Sequence, residues 1–241
     1  MPSRFIWRAL KTRYRDQRAE LAAIKESIRP DSIAIDVGAN KGSYLYWMAR
    51  WTPAGRTVAF EPQEELARYL EAVAAKLHLN NVVVEDKGVS DQAGQLTFHI
   101  PDGSVMPGAS FSQAVADREE CAHTTKEVVT LDDYFPPDAS ISVMKVDVEG
   151  FELHVFRGAS RILEKSAPLL VFECEGRHLE QGTVADVLRY LNERGYDGHF
   201  VRRNCLVPAC DFDPAIHQKE VGEKFYADKD YCNNFVFRRT N

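Results

Sequence analysis

Residues 34–42, AIDVGANKG, join an apolar strand to a glycine-rich turn and the start of a helix. In α/β proteins such a turn brings the backbone close to a ligand that lies beyond the carboxyl end of the strand. A dinucleotide-binding G-x-G-x-x-G pattern would need its second and third glycines where Asn40 and Ser43 stand. The segment therefore predicts a small-molecule site at this turn and argues against NAD or FAD.

Strand and helix patterns alternate on both sides of this turn. Short β-rich runs and apolar stripes at helical spacing recur along the chain, and a capping box at Thr183 and Asp186 marks one helix start. This alternation predicts parallel strands with crossover helices, an α/β fold. The predicted strands are residues 33–37, 57–60, 82–84, 96–100, 128–130, 143–148, 169–173, 199–201 and 234–238. The predicted helices are residues 43–51, 64–79, 152–164 with an interruption at Gly158, and a last one that carries residues 187–191 and ends at Gly195.

Two segments fall outside this alternation. Residues 3–28 carry apolar side chains at helical spacing before Pro30, which predicts one N-terminal helix. Residues 101–127 hold proline, glycine, serine and charge without clear periodicity; such segments are usually lids, binding loops or disordered, and we expect this one on the acceptor side. We predict an N-terminal helical extension over residues 1–30 and one main domain over residues 31–241.

The composition is that of an ordinary globular protein. Of the 241 residues, 44% are hydrophobic and 27% are charged, which excludes a disordered chain, a collagen and a fibrous coil. The net charge of −6 has the wrong sign for a protein that coats nucleic acid, so we predict no nucleic-acid partner. No apolar run approaches the ~18 residues of a membrane span and no signal-peptide pattern is present, which predicts a cytoplasmic protein without a transmembrane segment.

The cysteines give little sign of a disulfide or metal framework. Their number, five, is odd, and no C-x-x-C pair occurs, so reduced thiols are expected. One conceivable zinc site has a spacing that matches no familiar ligand pattern. Its residues would be Cys205, Cys210, His217 and Cys232.

The N-terminal segment is basic although the chain as a whole is acidic. A solvated helix face is the simplest interpretation of this charge. The alternative is a weak contact with an anionic membrane surface or an acidic partner, which would suit a lipid-linked substrate. Between residues 4 and 18, Asp16 is the one acid against six basic residues: Arg4, Arg8, Lys11, Arg13, Arg15 and Arg18.

Several motifs follow the glycine-rich turn in a fixed order. Glu61 ends the second strand within VAFEP, where a carboxylate can accept hydrogen bonds from both hydroxyl groups of a ribose. The further motifs are VSDQAG at residues 89–94, VTLDD at 129–133, MKVDVEGFE at 144–152 and RGA at 157–159. Together these motifs resemble the FkbM family of methyltransferases over about residues 33–175.

The resemblance implies a fold, a cofactor and a reaction class. The fold is the Rossmann-like class I methyltransferase fold, a seven-stranded, mostly parallel sheet with a reversed last strand and helices on both faces. The cofactor is S-adenosyl-L-methionine, and the usual product is an O-methyl group on a sugar or natural-product hydroxyl. The resemblance does not identify the acceptor, a small molecule or a glycan, or the oligomeric state.

The cofactor residues that the resemblance implies come from the first three strands. Glu61 would hold the ribose, and Val89 would line the adenine, although Val89 could equally be a core residue. Asp36 could also act as a helix cap, but its place within the motif favours cofactor contact. The residues expected at the methionine end and the backbone turn are Asp36, Gly38, Asn40, Gly42 and Ser43.

Two acids follow the strand that carries MKVDVEGFE. Asp147 and Glu149 lie two residues apart, so an extended chain would point both side chains to one side. They could be metal ligands, an acid and base pair, or polar anchors for cofactor and substrate. We favour anchors and predict no metal, because a third ligand, Glu173 or His178, cannot be placed from the sequence.

A base is expected near the same edge of the sheet. Methyl transfer to a hydroxyl is an in-line displacement that needs a positioned acceptor and a group that removes its proton. The run ECEGRH, residues 173–178, follows a buried strand at the expected cofactor end. His178 is the favoured base, an ordinary surface histidine is the alternative, and Glu173 is a further candidate. Lys145 could orient an oxygen or pair with Glu149.

Two other functions are compatible with these residues. The same site could methylate an amine without a base, and the fold could serve as a non-catalytic module that binds the cofactor and a partner. We predict O-methylation of a carbohydrate, glycolipid or natural product, with a carbohydrate or glycolipid favoured.

Overall fold

The computed structural model describes residues 2–101, 108–117, 120–222, 225 and 228–240. Strands and helices alternate along most of this part of the chain. The strands are β1 Ile33–Val37, β2 Arg56–Phe60, β3 Val82–Glu85, β4 Gly88–Val89, β5 Gly94–Pro101, β6 Cys121–Val129, β7 Ile141–Val146, β8 Leu169–Glu173, β9 Tyr196–Arg202, β10 Cys205–Pro208 and β11 Asn234–Arg239. The helices are α1 Pro2–Lys11, α2 Arg18–Ser27, α3 Leu45–Trp51, α4 Glu64–Lys76, α5 Gln113–Ala116, α6 Leu131–Tyr134, α7 Glu152–Arg157, α8 Ser160–Lys165, α9 Val184–Asn192 and α10 Pro214–His217.

Eight of the described strands form one sheet, in the order β10, β9, β11, β8, β7, β1, β2, β3. Strands β8, β7, β1, β2 and β3 are parallel, whereas β11 runs antiparallel to both of its neighbours, β8 and β9. The predicted seven-stranded sheet with a reversed last strand is therefore confirmed. Strand β10 extends it at the edge, paired antiparallel with β9.

The central strands are apolar because helices cover both faces of the sheet. On one face, α2 and α3 bury Ile24, Met48 and Trp51 against β7 and β8. On the other face, α7, α8 and α9 pack around a cluster that includes Phe156 and Phe172. With both faces covered, a ligand site is expected at the carboxyl ends of the parallel strands.

The N-terminal segment is not the single helix that the sequence predicts. A π-helical turn over Thr12–Asp16 and a kink at Gln17 (φ −130°, ψ 53°) separate α1 from α2. The break has a packing reason, because α1 buries Phe5 beside α3 and α4, whereas α2 buries Leu21 and Ile24 against the sheet. One straight helix could not reach both places.

The segment predicted to be irregular contains a strand. Strand β6 pairs antiparallel with β5, and together with β4 they form a separate three-stranded sheet. Most β6 side chains are exposed or half-exposed and polar, so the strand lacks the apolar alternation by which a half-buried strand is recognised. Residues 102–107 and 118–119 of the predicted loop lie outside the described residues.

The remaining elements lie close to their predicted positions. The helical segment after β7 breaks at Gly158 into α7 and α8, and Thr183 and Asp186 form both hydrogen bonds of the capping box that starts α9. No helix within the described ranges combines the length and the apolar character that crossing a membrane requires. The division of the chain at residue 30 stays a prediction.

Candidate active site

Polar side chains gather at the carboxyl edge of the main sheet, where β1, β2, β7 and β8 end. A first cavity opens there between the β1 turn, the end of β2 and β4. Of the predicted cofactor residues, four line this cavity: Gly38, Asn40, Glu61 and Val89. The fold thus brings together residues from three separate motifs.

Glu61 is buried in the wall of the first cavity and is held by backbone amides. The Asn40 N–H donates to Oε2 at 2.6 Å, and the Gln63 N–H donates to Oε1 at 2.9 Å. Each carboxylate oxygen has a second lone pair with which it can accept a ribose hydroxyl. Burial raises the pKa of Glu61 to about 7, and the two backbone hydrogen bonds oppose this shift.

Affinity for S-adenosylmethionine should therefore depend on pH. The ionised carboxylate is the form that accepts two hydroxyl hydrogen bonds, and it is the minority form below a pKa of about 7. By calorimetry we expect affinity to rise about tenfold between pH 6 and pH 8 and then to level off. The Glu61→Gln variant should bind about 10- to 150-fold more weakly at pH 8 and should lose the rise. A variant with the wild-type pH profile would place the titrating group elsewhere.

A buried lysine connects β1 to β7. Lys145 Nζ donates to the Gly38 carbonyl at 3.1 Å and to Asp147 Oδ2 at 3.2 Å, and it lies 3.7 Å from Asp36 Oδ1. Burial lowers the pKa of Lys145, but Asp147 and Asp36 outweigh burial and the net shift is upward. Lys145 is thus a cation and not a base, and it pairs with Asp147 rather than with Glu149.

Three of the predicted cofactor residues do not line the first cavity. Asp36 is buried between β1 and β7, beside Lys145. Gly42 lies against the N-terminal helix, where an added Cβ would stand 2.8 Å from the Phe5 ring. The structure therefore gives Gly42 a packing reason, and contact of Asp36, Gly42 and Ser43 with the cofactor stays a prediction.

The two acids that follow β7 meet a third carboxylate. Asp147, Glu149 and Glu173 each place a carboxylate oxygen within 4.8 Å of the others, and we call this group the carboxylate cluster. The first two do not meet through an extended strand, because β7 ends at Val146 and Glu149 adopts a left-handed conformation (φ 53°). Burial raises the pKa of Glu173 well above its usual value, and the charge of Asp147 adds to the shift.

The carboxylate cluster offers oxygen ligands that would suit a divalent ion, but Lys145 already supplies a cation against Asp147. That no metal takes part stays a prediction. Within the described ranges, this cluster is the one group of three or more metal-ligand side chains that lie close together. The four residues considered for a zinc site are not brought together in such a group: Cys205, Cys210, His217 and Cys232.

His178, the favoured base, pairs with Glu149. Its Nδ1 lies 2.7 Å from Glu149 Oε2, and both side chains are largely buried. When Nδ1–H is donated to the carboxylate, Nε2 is the ring nitrogen that can accept a proton. A carboxylate that orients a histidine in this way is typical of general bases.

The glycine of MKVDVEGFE makes this pairing possible. Gly150 has φ +97°, and an added Cβ would stand 1.9 Å from the His178 carbonyl oxygen. The turn after β7 can therefore touch the turn after β8 only if residue 150 lacks a side chain.

The described middle of the predicted loop lies over the same two turns. Ser110 Oγ donates to the Glu149 carbonyl at 2.7 Å, and Ser112 Oγ donates to the His178 carbonyl at 2.6 Å. Ser110 and Phe111 line the first cavity. This part of the loop therefore lines the first cavity and also touches the turns that carry Glu149 and His178, and its contact with the acceptor stays a prediction.

Glu173 and Glu175 are held by residues that belong to no motif. Asn233 Nδ2 donates to Glu173 Oε1 at 2.6 Å and to Glu175 Oε1 at 2.7 Å, and the Tyr231 hydroxyl donates to Glu175 Oε2 at 2.9 Å. Burial raises the pKa of Glu175, but its pairing with Arg177 outweighs burial and the net shift is downward. Asn233 and Tyr231 precede β11 and lie far along the chain from the other site residues, so no spacing in the sequence points to them.

A second cavity, open to solvent, has Asn233 in its wall. Its walls come from the start of α2, the turn after β9 and the segment before β11, and they carry three basic and three acidic side chains. Glu20 in this wall is 2% exposed, and its Oε2 accepts no hydrogen bond from the described residues. Since Asp147 lines the first cavity and Asn233, bonded to Glu173, lines the second, the carboxylate cluster lies between the two.

Known sequences resemble this chain over most of the site. The sequence model of the Methyltransferase FkbM domain matches residues 36–197. The AMB antimetabolite synthetase AmbE of Pseudomonas aeruginosa is 36% identical over 92 residues, which cover 37% of this chain and 4% of that protein. The 31-O-demethyl-FK506 methyltransferase FkbM of Streptomyces tacrolimicus is 28% identical over 199 residues, which cover 70% of this chain and 74% of that protein.

Solved structures share the fold, which is that of class I methyltransferases. Methyltransferase FkbM from Methylobacillus flagellatus superposes with a TM-score of 0.56 at 16% identity, over 88% of this chain and 44% of that chain. A Streptococcus mutans protein in complex with SAH gives a TM-score of 0.53 at 11% identity, over 92% of this chain and 97% of that chain. The chain spans less than half the length of AmbE and of the Methylobacillus protein.

Proposed function

Because this chain belongs to the FkbM methyltransferase family and uses S-adenosylmethionine as its cofactor, we propose that it transfers the methyl group to a hydroxyl of a carbohydrate, glycolipid or natural product. The observation that carries the proposal is the pair of Glu149 and His178, which stands at the carboxylate cluster between two cavities. An amine acceptor can react without a base, whereas a hydroxyl gains from one. A positioned proton acceptor therefore favours oxygen over nitrogen.

The first cavity supplies the cofactor contacts in this proposal. Glu61 would hold the ribose, Val89 and Phe111 would line the adenine, and Asp147 would hold the polar methionine end. Bound S-adenosylmethionine supplies an electrophilic methyl group. The buried Lys145 fixes Asp147 and the Gly38 turn relative to each other, so the two sides of this cavity keep their spacing.

His178 takes the proton of the acceptor hydroxyl in this proposal. Its Nε2 is the accepting nitrogen, because Nδ1 is bonded to Glu149, and the same carboxylate stabilises the imidazolium that forms. A neutral hydroxyl is a poor nucleophile, so the base acts on the acceptor and not on cofactor binding.

The second cavity supports an uncharged acceptor that is rich in hydroxyl groups. The three basic and three acidic side chains of its wall balance in charge. Its guanidinium and amide N–H groups can donate hydrogen bonds to hydroxyl groups, and its carboxylate and amide oxygens can accept them. Tyr231 adds an aromatic ring to this polar wall. Binding of nucleic acid would instead call for a basic lining. This balance supports a small molecule or a glycan as the acceptor.

Replacing Glu20 tests whether the second cavity binds the acceptor. Its unpaired carboxylate oxygen is suited to accept an acceptor hydroxyl, so Glu20→Gln should raise the KM for the acceptor by roughly 10-fold or more with little change in kcat. Glu26→Gln is the matched control, because Glu26 lies on the same helix with its side chain 71% exposed. If both variants had the same KM for the acceptor, the second cavity would not be the acceptor site.

The acceptor class can be identified with isotope-labelled cofactor. The protein is incubated with methyl-labelled S-adenosylmethionine and separate glycan, glycolipid and amine-metabolite fractions, and labelled products are found by mass spectrometry. We expect label in the glycan or glycolipid fraction. Label confined to amines would contradict the proposal, and tight binding of cofactor without transfer to any fraction would favour a non-catalytic module.

A further inference from the structure

Large apolar side chains are exposed on the outer face of the N-terminal helix. Trp7 is 61% exposed, Leu10 41% and Tyr14 64%. Trp7 and Leu10 are three residues apart on α1 and so lie on one side of it, and Tyr14 follows in the π-helical turn. We call these three side chains the aromatic stripe. An exposed apolar group of this kind usually marks a contact surface.

The aromatic stripe cannot fold back into the protein, because the opposite face of α1 is already packed. Phe5 and Ala9 are buried there. Trp47 Nε1 also donates to the Ala9 carbonyl at 2.8 Å, which fixes the helix to α3. The packing of α1 therefore holds Trp7 and Leu10 outward, whereas the Tyr14 ring meets the Trp47 ring edge to face at a centroid distance of 6.2 Å and stays 64% exposed.

Basic side chains flank the aromatic stripe on a chain that is acidic overall. Residues 4–18 carry six basic residues against one acid, whereas the whole chain has a net charge of −6. Arg4 and Arg15 are exposed beside the stripe, and Lys11 Nζ lies 5.6 Å from the centre of the Trp7 ring. A partner that covers this surface should therefore be both anionic and able to receive aromatic rings.

We propose that the aromatic stripe and its arginines seat the protein on an anionic lipid surface. Amphipathic helices with Trp or Leu on one face and Lys or Arg beside it lie in the plane of the bilayer interface. Trp and Tyr rings favour the headgroup level, and basic side chains are attracted by anionic headgroups. Both requirements are met on one segment of this chain.

Docking in this way would also place the acceptor side near the lipid. Arg15 and Gln17, which follow the aromatic stripe directly, form part of the wall of the second cavity. This consequence rests on the proposed function, and it would suit an acceptor attached to a lipid. Binding to lipid can be measured without methyl transfer, so the two proposals fail separately.

The test is co-sedimentation of the full chain with two kinds of vesicle. One kind contains phosphatidylcholine alone, and the other contains roughly one third phosphatidylglycerol. We expect binding to the anionic vesicles to be about tenfold or more tighter and to weaken at high salt. Trp7→Ser/Tyr14→Ser should lose about tenfold or more of this binding. Ile216→Ser is the matched control, since Ile216 is 59% exposed outside the stripe.

A conservative variant separates lipid contact from damage to the helix. Trp7→Phe should keep the vesicle binding but lose the blue shift of tryptophan emission that insertion of Trp7 would give. Equal binding to both vesicle types, or wild-type binding by the double variant, would overturn the proposal. The proposal would also be overturned if sedimentation showed a dimer of the wild-type chain and a monomer of the double variant. The stripe would then bind a second copy of the chain and not a lipid surface.

Discussion

Replacing His178 with alanine should lower the single-turnover rate of methyl transfer by roughly 10²- to 10⁴-fold, the usual loss when a positioned base is removed. Affinity for S-adenosylmethionine should barely change, because His178 lies outside the first cavity. The loss follows from the 2.7 Å bond between Nδ1 and Glu149, which leaves Nε2 to accept the proton of the acceptor. Single-turnover transfer at saturating cofactor, together with calorimetry, measures the two quantities separately.

A second histidine provides the control for this variant. His154 Nδ1 lies 3.2 Å from Asp91 Oδ1, so it also pairs with a carboxylate, but away from the carboxylate cluster. His154→Ala should keep the wild-type rate. Glu149→Gln should also slow transfer with little effect on cofactor affinity, since this residue acts through His178. If His178→Ala transferred methyl at the wild-type rate, the base would have to be sought elsewhere, or the acceptor would be an amine.

Replacing Gly38 with alanine should abolish measurable cofactor binding and lower the free energy of unfolding by about 3 kcal/mol or more. Gly38 has φ +72°, which an L-residue adopts at a cost, and an added Cβ would stand 1.8 Å from the Asp147 carbonyl oxygen. That oxygen is backbone, so relief would require the turns after β1 and β7 to separate. Both turns line the first cavity, which explains why stability and binding should fall together.

A variant at Gly195 separates the cost of a side chain in the left-handed backbone conformation from the cost of the steric clash with Asp147. It has a similar φ of +77°, but the nearest atom to an added Cβ is 3.7 Å away, which is an ordinary contact distance. Gly195→Ala should therefore cost only about 1–2 kcal/mol and should leave cofactor binding intact. Chemical denaturation and calorimetry on both variants check this. Equal losses would mean that the close approach of Asp147 to Gly38 does not shape the cavity.

The sequence predicts the central strands of the main sheet well because these strands are buried on both faces, whereas the exposed edge strand β10 was not predicted. Strand β7 is an example, since all six of its residues are buried and form a continuous apolar run apart from Ser142 and Lys145. The break in the N-terminal helix at Gln17 could not be predicted, because it serves two packing surfaces that only the fold creates. Residues 121–127 of strand β6 escaped prediction because their exposed side chains carry no apolar pattern, whereas the last two residues of β6 fall within the predicted strand 128–130.

The candidate site is only partly predictable, because some of its residues meet only through contacts that the fold creates. Glu61 follows a strand, and its placement at the ligand edge can be inferred from the order of strands alone. The pairing of His178 with Glu149 depends on a left-handed turn that places the two together, which sequence spacing does not reveal. Glu20 and Asn233 come from opposite ends of the chain, and only their meeting in the second cavity draws attention to them.

The central claim is that the methyl group is transferred to an oxygen atom, and the bond formed in the product tests it most directly. The product would be made with S-adenosylmethionine labelled with carbon-13 in the methyl group and examined by heteronuclear NMR. We predict a labelled methyl carbon bonded to oxygen and correlated with the ring of a sugar or with the carbon that bore the hydroxyl. A labelled methyl carbon bonded to nitrogen would contradict the claim.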